Sequence, residues 1–387
     1  MAFAAAVGPL LGGAFAQLGR GGWRWLFWIN LPLTAMAGAL MLKYLQLHNP
    51  HTHLLSGLKA IDWLGTILVT GSAIMLQLGL QFGGGSYSWL SATVLCLLIF
   101  SAIGFVLFVT VETMIARIPV MPTRIIFDRS AAAILTLVFV HGFFYVSCIY
   151  YLPLYFQLVL GASAVQAGVW TLIAALTMPA TTLLSGIFIN RTGRFRPVLW
   201  VASTFMVLTP GLSISFSAYR SWPRLIVFQL VGAVGLGPLF QVPLLALQAT
   251  VRPEDTAAAN SLVLFMRTLA SAVGLMAGQT VLQNSLPDPP GAPAGSARDR
   301  QHSIFGFESG ASGMETRQQE LMRQLITKAF RNMWIMYTAV AAFGLLANFF
   351  IGHRELLEEH ADVQIGLQMD KERNTTGKTA ARKDSVS

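Results

Sequence analysis

Ten apolar stretches follow one another along this sequence of 387 residues. They cover about 1–17, 25–47, 62–82, 89–111, 131–157, 166–189, 198–219, 224–248, 257–283 and 332–352. A helix needs about 20 consecutive apolar residues to cross a hydrocarbon core roughly 30 Å thick. The pattern therefore predicts an all-α polytopic membrane protein with about ten transmembrane helices.

The composition excludes a soluble globular protein. Hydrophobic residues make up 54% of the chain and charged residues 11%, whereas soluble domains carry roughly 25% charged residues. Cys96 and Cys148 both lie inside apolar stretches, which argues against a disulfide framework and against a thiolate metal site. The chain opens on an apolar segment without a basic region before it, so no cleavable signal peptide is indicated.

The basic residues predict the orientation in the membrane. If the loop with Lys43 and Lys59 is cytoplasmic and the sides then alternate, the cytoplasmic segments hold 15 Lys and Arg, against four in the short outer loops. Cytoplasmic loops are enriched in Lys and Arg, so the carboxyl terminus is predicted to be inside. Because the charges are dispersed over loops that flank the membrane, the net charge of +9 does not indicate nucleic-acid binding.

Two polar stretches interrupt this pattern. Residues 284–331 are rich in Pro, Gly and Ser near their start, and we expect a flexible extracellular loop there. Residues 353–387 are charged and lack apolar periodicity, which predicts a disordered cytoplasmic tail.

The first motif combines small residues with a proline. The sequence GPLLGG at 8–13 contains Gly8, Pro9, Gly12 and Gly13. Small residues one turn apart let a second helix approach closely, and a proline bends its helix. Alone, this is a general helix-packing face, and WRWLFWINLP at 23–32 is an interfacial aromatic belt. Together they resemble GPxxGG and WRWxFxxNxP in spans five and six of the fourteen-span drug–proton antiporter family, within the major facilitator superfamily.

The second motif is GIFINRTGRFR at 186–196, which resembles the cytoplasmic loop pattern G-x3-D-R-x-G-R-x-R of the same superfamily. We expect a tight turn with positive φ at its second glycine, and its arginines favour the cytoplasmic side. Asn190 replaces the acid of the pattern, so it can cap a helix but supplies no charge. The alternative is an ordinary basic loop. The motif residues are Gly186, Asn190, Arg191, Gly193, Arg194 and Arg196.

Weaker matches continue the resemblance along the chain: YLPLYFQ at 151–157, DWLG at 62–65 and RPED at 252–255. By this resemblance, 1–47 is a remnant of the amino-terminal half (spans five and six), and 48–130 holds two linker spans. Residues 131–352 are then the carboxyl-terminal six-helix half, including the loop 284–331. The resemblance implies the major facilitator fold, with the first four of fourteen spans absent from this sequence.

Polar groups inside the spans are the candidates for a substrate cavity, because such groups are costly in lipid and usually face a cavity or a partner. His141, Tyr145 and Cys148 recur at i, i+4 and i+7 and share one helix face. A hydrogen-bonded histidine between packed helices is an equally good interpretation of His141. The other candidates, which could equally bridge helices, are Gln157, Gln229, Gln241 and Arg267.

The resemblance implies proton-driven efflux of amphipathic small molecules such as drugs, toxins or secondary metabolites, by alternating access and without a cofactor. The alternatives are a siderophore or nutrient carrier of the same fold, and a transport-dead fragment or membrane scaffold. A membrane metalloenzyme is the weakest alternative, because only His48, His51 and His53 cluster in the sequence. We expect a multi-pass protein of the plasma membrane whose partners are the bilayer and a small organic substrate, with neither nucleic acid nor an obligate protein partner.

Overall fold

The computed structural model describes residues 7–8, 11–15, 21–44, 62–83, 87–114, 123–252, 255–286 and 316–352. In these ranges the regular structure is helical, apart from one isolated bridge between Gly83 and Tyr87. Short 3-10 turns, Gly22–Arg24 and Asn348–Phe350, flank the first and last helices. The α-helices are α1 (Trp25–Trp28), α2 (Asn30–Tyr44), α3 (Trp63–Phe82), α4 (Ala92–Met114), α5 (Thr123–Phe127), α6 (Arg129–Leu158), α7 (Ala164–Thr192), α8 (Arg196–Ser213), α9 (Trp222–Gln248), α10 (Thr256–Asn284) and α11 (Thr316–Ala347).

The prediction of an all-α polytopic membrane protein is confirmed. Eight helical segments of the described chain are long and apolar enough to cross a membrane. Their bounds follow the apolar stretches closely: the stretch predicted at 62–82 is α3, and the one predicted at 257–283 is α10. Most of the stretch predicted at 1–17 lies outside the described residues, as does the whole tail 353–387.

Two boundaries differ from the prediction. Helix α8 has 18 residues and ends at Ser213, six residues before the predicted end of its span, because tight turns from Ser215 and Phe216 close it. Helix α11 begins at Thr316, so residues 316–331 are helical rather than part of a flexible loop. This part of α11 is amphipathic: Ile326, Ala329 and Phe330 are buried on one face between polar residues.

The helix ends follow from local sequence. Asp128 caps α6 by accepting a hydrogen bond from the backbone N–H of Ala131 at 2.9 Å. Ser163 and Gln166 form a capping box at the start of α7, in which each side chain binds the other's backbone N–H. These bonds satisfy donors that the first turn of a helix leaves unpaired, which matters most near lipid.

Helices α6 to α11 pack together as a bundle, with α6 and α9 at its centre. Helix α6 packs against α7, α9, α10 and α11, while α8 packs against α9 and α11. More than half of the apolar window of α6 and of α9 is buried, 61% and 56%, compared with 11% for α7. Helices α6 and α9 therefore form the buried centre of the bundle.

Helices α6 and α10 approach each other closely. A side-chain carbon at Gly142 would lie 2.7 Å from the carbonyl oxygen of Arg267, and one at Gly274 would collide with the Phe143 carbonyl. Glycine is required at both positions because backbone meets backbone there. In lipid no hydrophobic effect drives helices together, so their association depends on the close packing that such small residues allow.

The remaining helices lie beside this bundle. Helices α3 and α4 pair with each other, and Ser101 of α4 donates a hydrogen bond to the Ser72 carbonyl of α3 at 2.8 Å. Helix α3 also contacts α10. No residue of α1 or α2 is buried, so their apolar faces are available to lipid or to other segments.

Candidate functional site

A large cavity of about 1000 Å³ lies between α6, α7, α8 and α9. Its size is at the upper end of the range of small-molecule sites, roughly 300–1000 Å³. The wall is mainly apolar and aromatic, with Phe216, Phe228, Phe240 and Trp334 among its rings. Small residues on α7, such as Ala167, leave the space that the rings enclose. The cavity can therefore hold a drug-sized apolar molecule.

Four of the predicted candidates lie on this wall: Tyr145, Cys148, Gln157 and Gln229. Tyr145 and Cys148 are half-buried on α6, one turn apart, as their spacing predicted. Gln229 is nearly fully buried on α9, and Gln157 is half-buried near the end of α6. The structure thus brings together polar groups from two helices that are far apart in the sequence.

His141 does not face the cavity. It is fully buried, and its Nε2 lies 3.1 Å from the carbonyl oxygen of Leu236 on α9. Because a carbonyl only accepts, this contact makes Nε2 the protonated ring nitrogen. The ring stacks on Tyr145, with centroids 5.4 Å apart, and meets the edge of Phe240. His141 therefore lies behind the cavity wall and ties α6 to α9.

Arg267 belongs to the same cluster behind the wall. Its Nη2 donates to the Phe240 carbonyl at 2.8 Å, and its guanidinium lies 4.4 Å from the centre of the Phe240 ring. Cation–π contact and a charge-assisted hydrogen bond together stabilise this cation between α9 and α10. Arg267 therefore holds Phe240, a wall residue, in place.

Another predicted candidate lies off the cavity wall, and four residues of the wall were not predicted. Gln241 is exposed on α9 and does not line the cavity. Sequence reasoning missed four hydroxyl residues of the wall. A signal was available for the two on α7, because the small or hydroxyl residues at 171, 175 and 182 recur on one helix face. The four missed residues are Thr171, Thr182, Thr209 and Ser213.

The GPLLGG motif reaches the cavity only through its last two residues. Gly12 and Gly13 line it, and a side-chain carbon at Gly13 would lie 2.9 Å from the Ala164 carbonyl oxygen at the start of α7. Gly8 is exposed, with open space where a side chain would begin, and Pro9 lies outside the described residues. The close approach that the motif predicted is made by Gly13 instead of Gly8 and Gly12.

The loop motif lies beyond the cavity, at the far end of α7. Gly193 ends α7 with φ +66°, which confirms the predicted turn, and its N–H donates to the Ile189 carbonyl at 2.8 Å. Asn190 is exposed in the last turn of α7 and caps no helix; Phe195 precedes α8 instead. The other motif residues are Gly186, Arg191 and Arg194, which are exposed, and Arg196, which is half-buried.

Among the described residues, no group of three His, Cys, Asp or Glu side chains is arranged to hold a metal ion. His48, His51 and His53 lie outside the described residues. The described cavity wall can bind a ligand through its shape, apolar contacts and hydrogen bonds.

The described residues thus form a bundle of helices long and apolar enough to cross a membrane, and this bundle surrounds a large, mainly apolar cavity. The sequence matches the Major Facilitator Superfamily over residues 1–275. The chain belongs to this superfamily.

Fungal transporters are among its relatives. It is 38% identical to the efflux pump dotC of Dothistroma septosporum and 34% identical to the MFS-type transporter ppz2 of Metarhizium majus. These alignments cover 96% and 95% of this chain and 64% of each relative, so the chain spans slightly less than two thirds of their length. It is also 28% identical to the acurin A biosynthesis cluster MFS-type transporter of Aspergillus aculeatus, over 95% of this chain and 67% of that protein.

Proposed function

We propose that this chain acts in proton-driven export of amphipathic small organic molecules, as a member of the fourteen-span branch of the superfamily. The observation that carries the proposal is the cavity of about 1000 Å³ with a mainly apolar wall. A relative named as an efflux pump and another from a biosynthesis cluster support export of a fungal small molecule. Sequence resemblance supports the proton as the driving ion.

The mechanism we propose is alternating access. In transporters of this architecture two helical halves rock against each other around a site near the bilayer midplane. Helices α6 to α9, which line the cavity, belong to the segment assigned to the carboxyl-terminal half, and Gly12 and Gly13 add a contribution from the amino-terminal region. Substrate binding shifts the equilibrium only if the wall contacts the substrate differently in the two states. Phe240 of α9 is a wall residue whose position another helix fixes, because Arg267 of α10 binds both its carbonyl and its ring.

We propose that the protein lies in the plasma membrane. The distribution of basic residues among its loops supports a cytoplasmic carboxyl terminus. In this orientation the loop motif at 186–196 is inside and the α8–α9 loop is outside. A siderophore or nutrient carrier would have the same fold but move its substrate inward.

The test is transport in inside-out membrane vesicles from a host that lacks its own efflux pumps. An amphipathic fluorescent substrate should accumulate in the vesicles when their lumen is acidified, and a protonophore should abolish the accumulation. Equal uptake with and without the proton gradient would refute proton coupling. Accumulation only in right-side-out vesicles would favour the importer.

A further inference from the structure

The part of the cavity wall that the structure describes is uncharged. Among the described residues that line it, none carries a carboxylate, ammonium, guanidinium or imidazole group. A permanently charged ligand that left water for this cavity would find no counter-ion there, and burial of an unpaired charge is strongly unfavourable. For a cation the aromatic rings of the wall offset only part of this cost, since a cation–π contact contributes about 2 kcal/mol and desolvation of an ion costs several. The cationic Arg267 lies behind the wall and would repel a ligand cation further. The electrostatics of the wall therefore favour uncharged ligands.

The hydroxyl groups of the wall present acceptors. Each of its four Ser and Thr side chains donates its only proton to a backbone carbonyl of its own helix, so only lone pairs remain for a ligand. The bonds run from Thr171 to Gly168, from Thr182 to Met178, from Thr209 to Phe205 and from Ser213 to Thr209, over 2.7–2.9 Å.

Gln229 continues this pattern with a stronger acceptor. Its Nε2 donates to the Leu225 carbonyl at 3.1 Å, which fixes the orientation of the amide because the opposite orientation would place two oxygens together. Gln229 lines the cavity, and its Oε1 is buried without a hydrogen-bond partner among the described residues. Buried carbonyl oxygens are normally paired, so this oxygen gains from a donor supplied by a ligand.

The donors of the wall are fewer. Gln157 also uses its Nε2 within its own helix, on the Pro153 carbonyl at 3.3 Å. The groups that can still donate are the Tyr145 hydroxyl, the indole N–H of Trp334, the second N–H of each glutamine amide and the Cys148 thiol, which is a weak donor. The acceptors, namely the four Ser and Thr hydroxyls, the Tyr145 oxygen and the two amide oxygens, outnumber these donors on a wall that otherwise offers apolar contact.

We propose that this cavity selects uncharged, largely apolar ligands that carry a hydroxyl or N–H donor, and that Gln229 Oε1 accepts the hydrogen bond from this donor. The inference rests on the proposed export function for its premise that the cavity holds the substrate. It narrows the substrate class from amphipathic molecules in general to neutral hydrogen-bond donors. We therefore expect the cavity not to bind quaternary ammonium compounds of the same size.

Three matched pyrene probes test the proposal: 1-hydroxypyrene, 1-methoxypyrene and (1-pyrenylmethyl)trimethylammonium. The first two differ in one hydrogen-bond donor, and the third adds a permanent charge. Binding to the full chain in lipid nanodiscs is measured as saturable energy transfer from protein tryptophan to pyrene, relative to nanodiscs without protein. We expect 1-hydroxypyrene to bind about three- to tenfold more tightly than its methyl ether, which is the range of one net hydrogen bond. The cation should show no saturable binding.

The Gln229→Met variant retains the shape of the side chain and removes the acceptor. It should lower the affinity for 1-hydroxypyrene to that for 1-methoxypyrene and leave the affinity for 1-methoxypyrene unchanged. Gln241→Met, on the exposed face of the same helix, should retain the wild-type difference. Equal loss for both probes in Gln229→Met would show a packing role and overturn the assignment.

The wild-type protein decides the matter even if the variant does not fold. Equal affinities for the hydroxyl and methoxy probes, tighter binding of the cation, or no saturable binding of 1-hydroxypyrene would each overturn the proposal. Because this measurement uses no proton gradient, a chain that discriminates between the probes but does not transport would refute only the export function. A chain that exports without discriminating would refute only this inference.

Discussion

A histidine in a membrane helix must be paired or face water, and His141 is paired. Its sequence position allowed either a cavity role or a packing role, because spacing alone cannot show which neighbour covers a helix face. Tyr145, one turn later, reaches the cavity, whereas His141 is covered by Leu236 and Phe240 of α9. Roles at this scale depend on where a second helix packs, which the local sequence does not contain.

The first prediction concerns this contact. His141→Ala removes a buried ring and its hydrogen bond, and we expect it to lower the free energy of unfolding by about 2–4 kcal/mol. The measurement is thermal unfolding of the purified protein in detergent. Tyr150→Ala, at an exposed position of the same helix, should change stability much less. An unchanged melting temperature combined with an altered pH profile of transport would show that His141 acts in proton transfer instead.

The second prediction concerns the turn at the end of α7. Gly193 has φ +66°, a conformation that costs other residues roughly 1–2 kcal/mol. Gly193→Ala should therefore destabilise the protein by about that amount. Gly186→Ala is the matched control, since Gly186 is helical, exposed and has open space around it, so its substitution should be neutral or slightly stabilising. Equal effects of the two changes on the melting temperature would contradict the conformational explanation.

At the scale of the helices, hydropathy predicted most spans within about three residues, because a helix in lipid needs a minimum apolar length. Helix α11 shows the limit: its first half, 316–331, is too polar for a hydropathy window, yet Ile326 and Phe330 are buried along one face. Periodicity would have revealed it. The wall residues Thr209 and Ser213 were missed for another reason, since hydroxyl side chains satisfied by their own helix give no hydropathy signal.

The third prediction tests how α6 and α10 are held together. A methyl group at Gly274 would lie 2.8 Å from the Phe143 Cα and closer still to its carbonyl, so Gly274→Ala must push the two helices apart. We expect a loss of about 1–3 kcal/mol in stability, typical of overpacking. At Gly211 of α8 the nearest atom, in Thr338, would be 3.8 Å away, so Gly211→Ala should be tolerated. A tolerated Gly274→Ala would contradict the close approach.

At the scale of the whole molecule, the two ends of the bundle differ in chemistry. Arg191, Arg194 and Arg196 lie at the junction of α7 and α8. The α8–α9 loop instead carries an aromatic cluster, where the Arg220 guanidinium lies over the rings of Trp170 and Trp222. There the Tyr219 hydroxyl also donates to Glu320 at 2.9 Å, a bond that raises the pKa of Tyr219. This difference between the ends predicts how the protein lies in the membrane.

The last prediction tests this orientation with two cysteines at opposite ends of α8. In a background with Cys96→Ala and Cys148→Ala, Thr192→Cys and Ser215→Cys each present one thiol at an exposed position. A membrane-impermeant maleimide applied to intact cells should label Ser215→Cys and leave Thr192→Cys unlabelled, because arginine-rich loops remain on the cytoplasmic side. After permeabilisation both should react, which controls for thiol accessibility. Labelling of Thr192→Cys but not Ser215→Cys in intact cells would contradict the proposed topology.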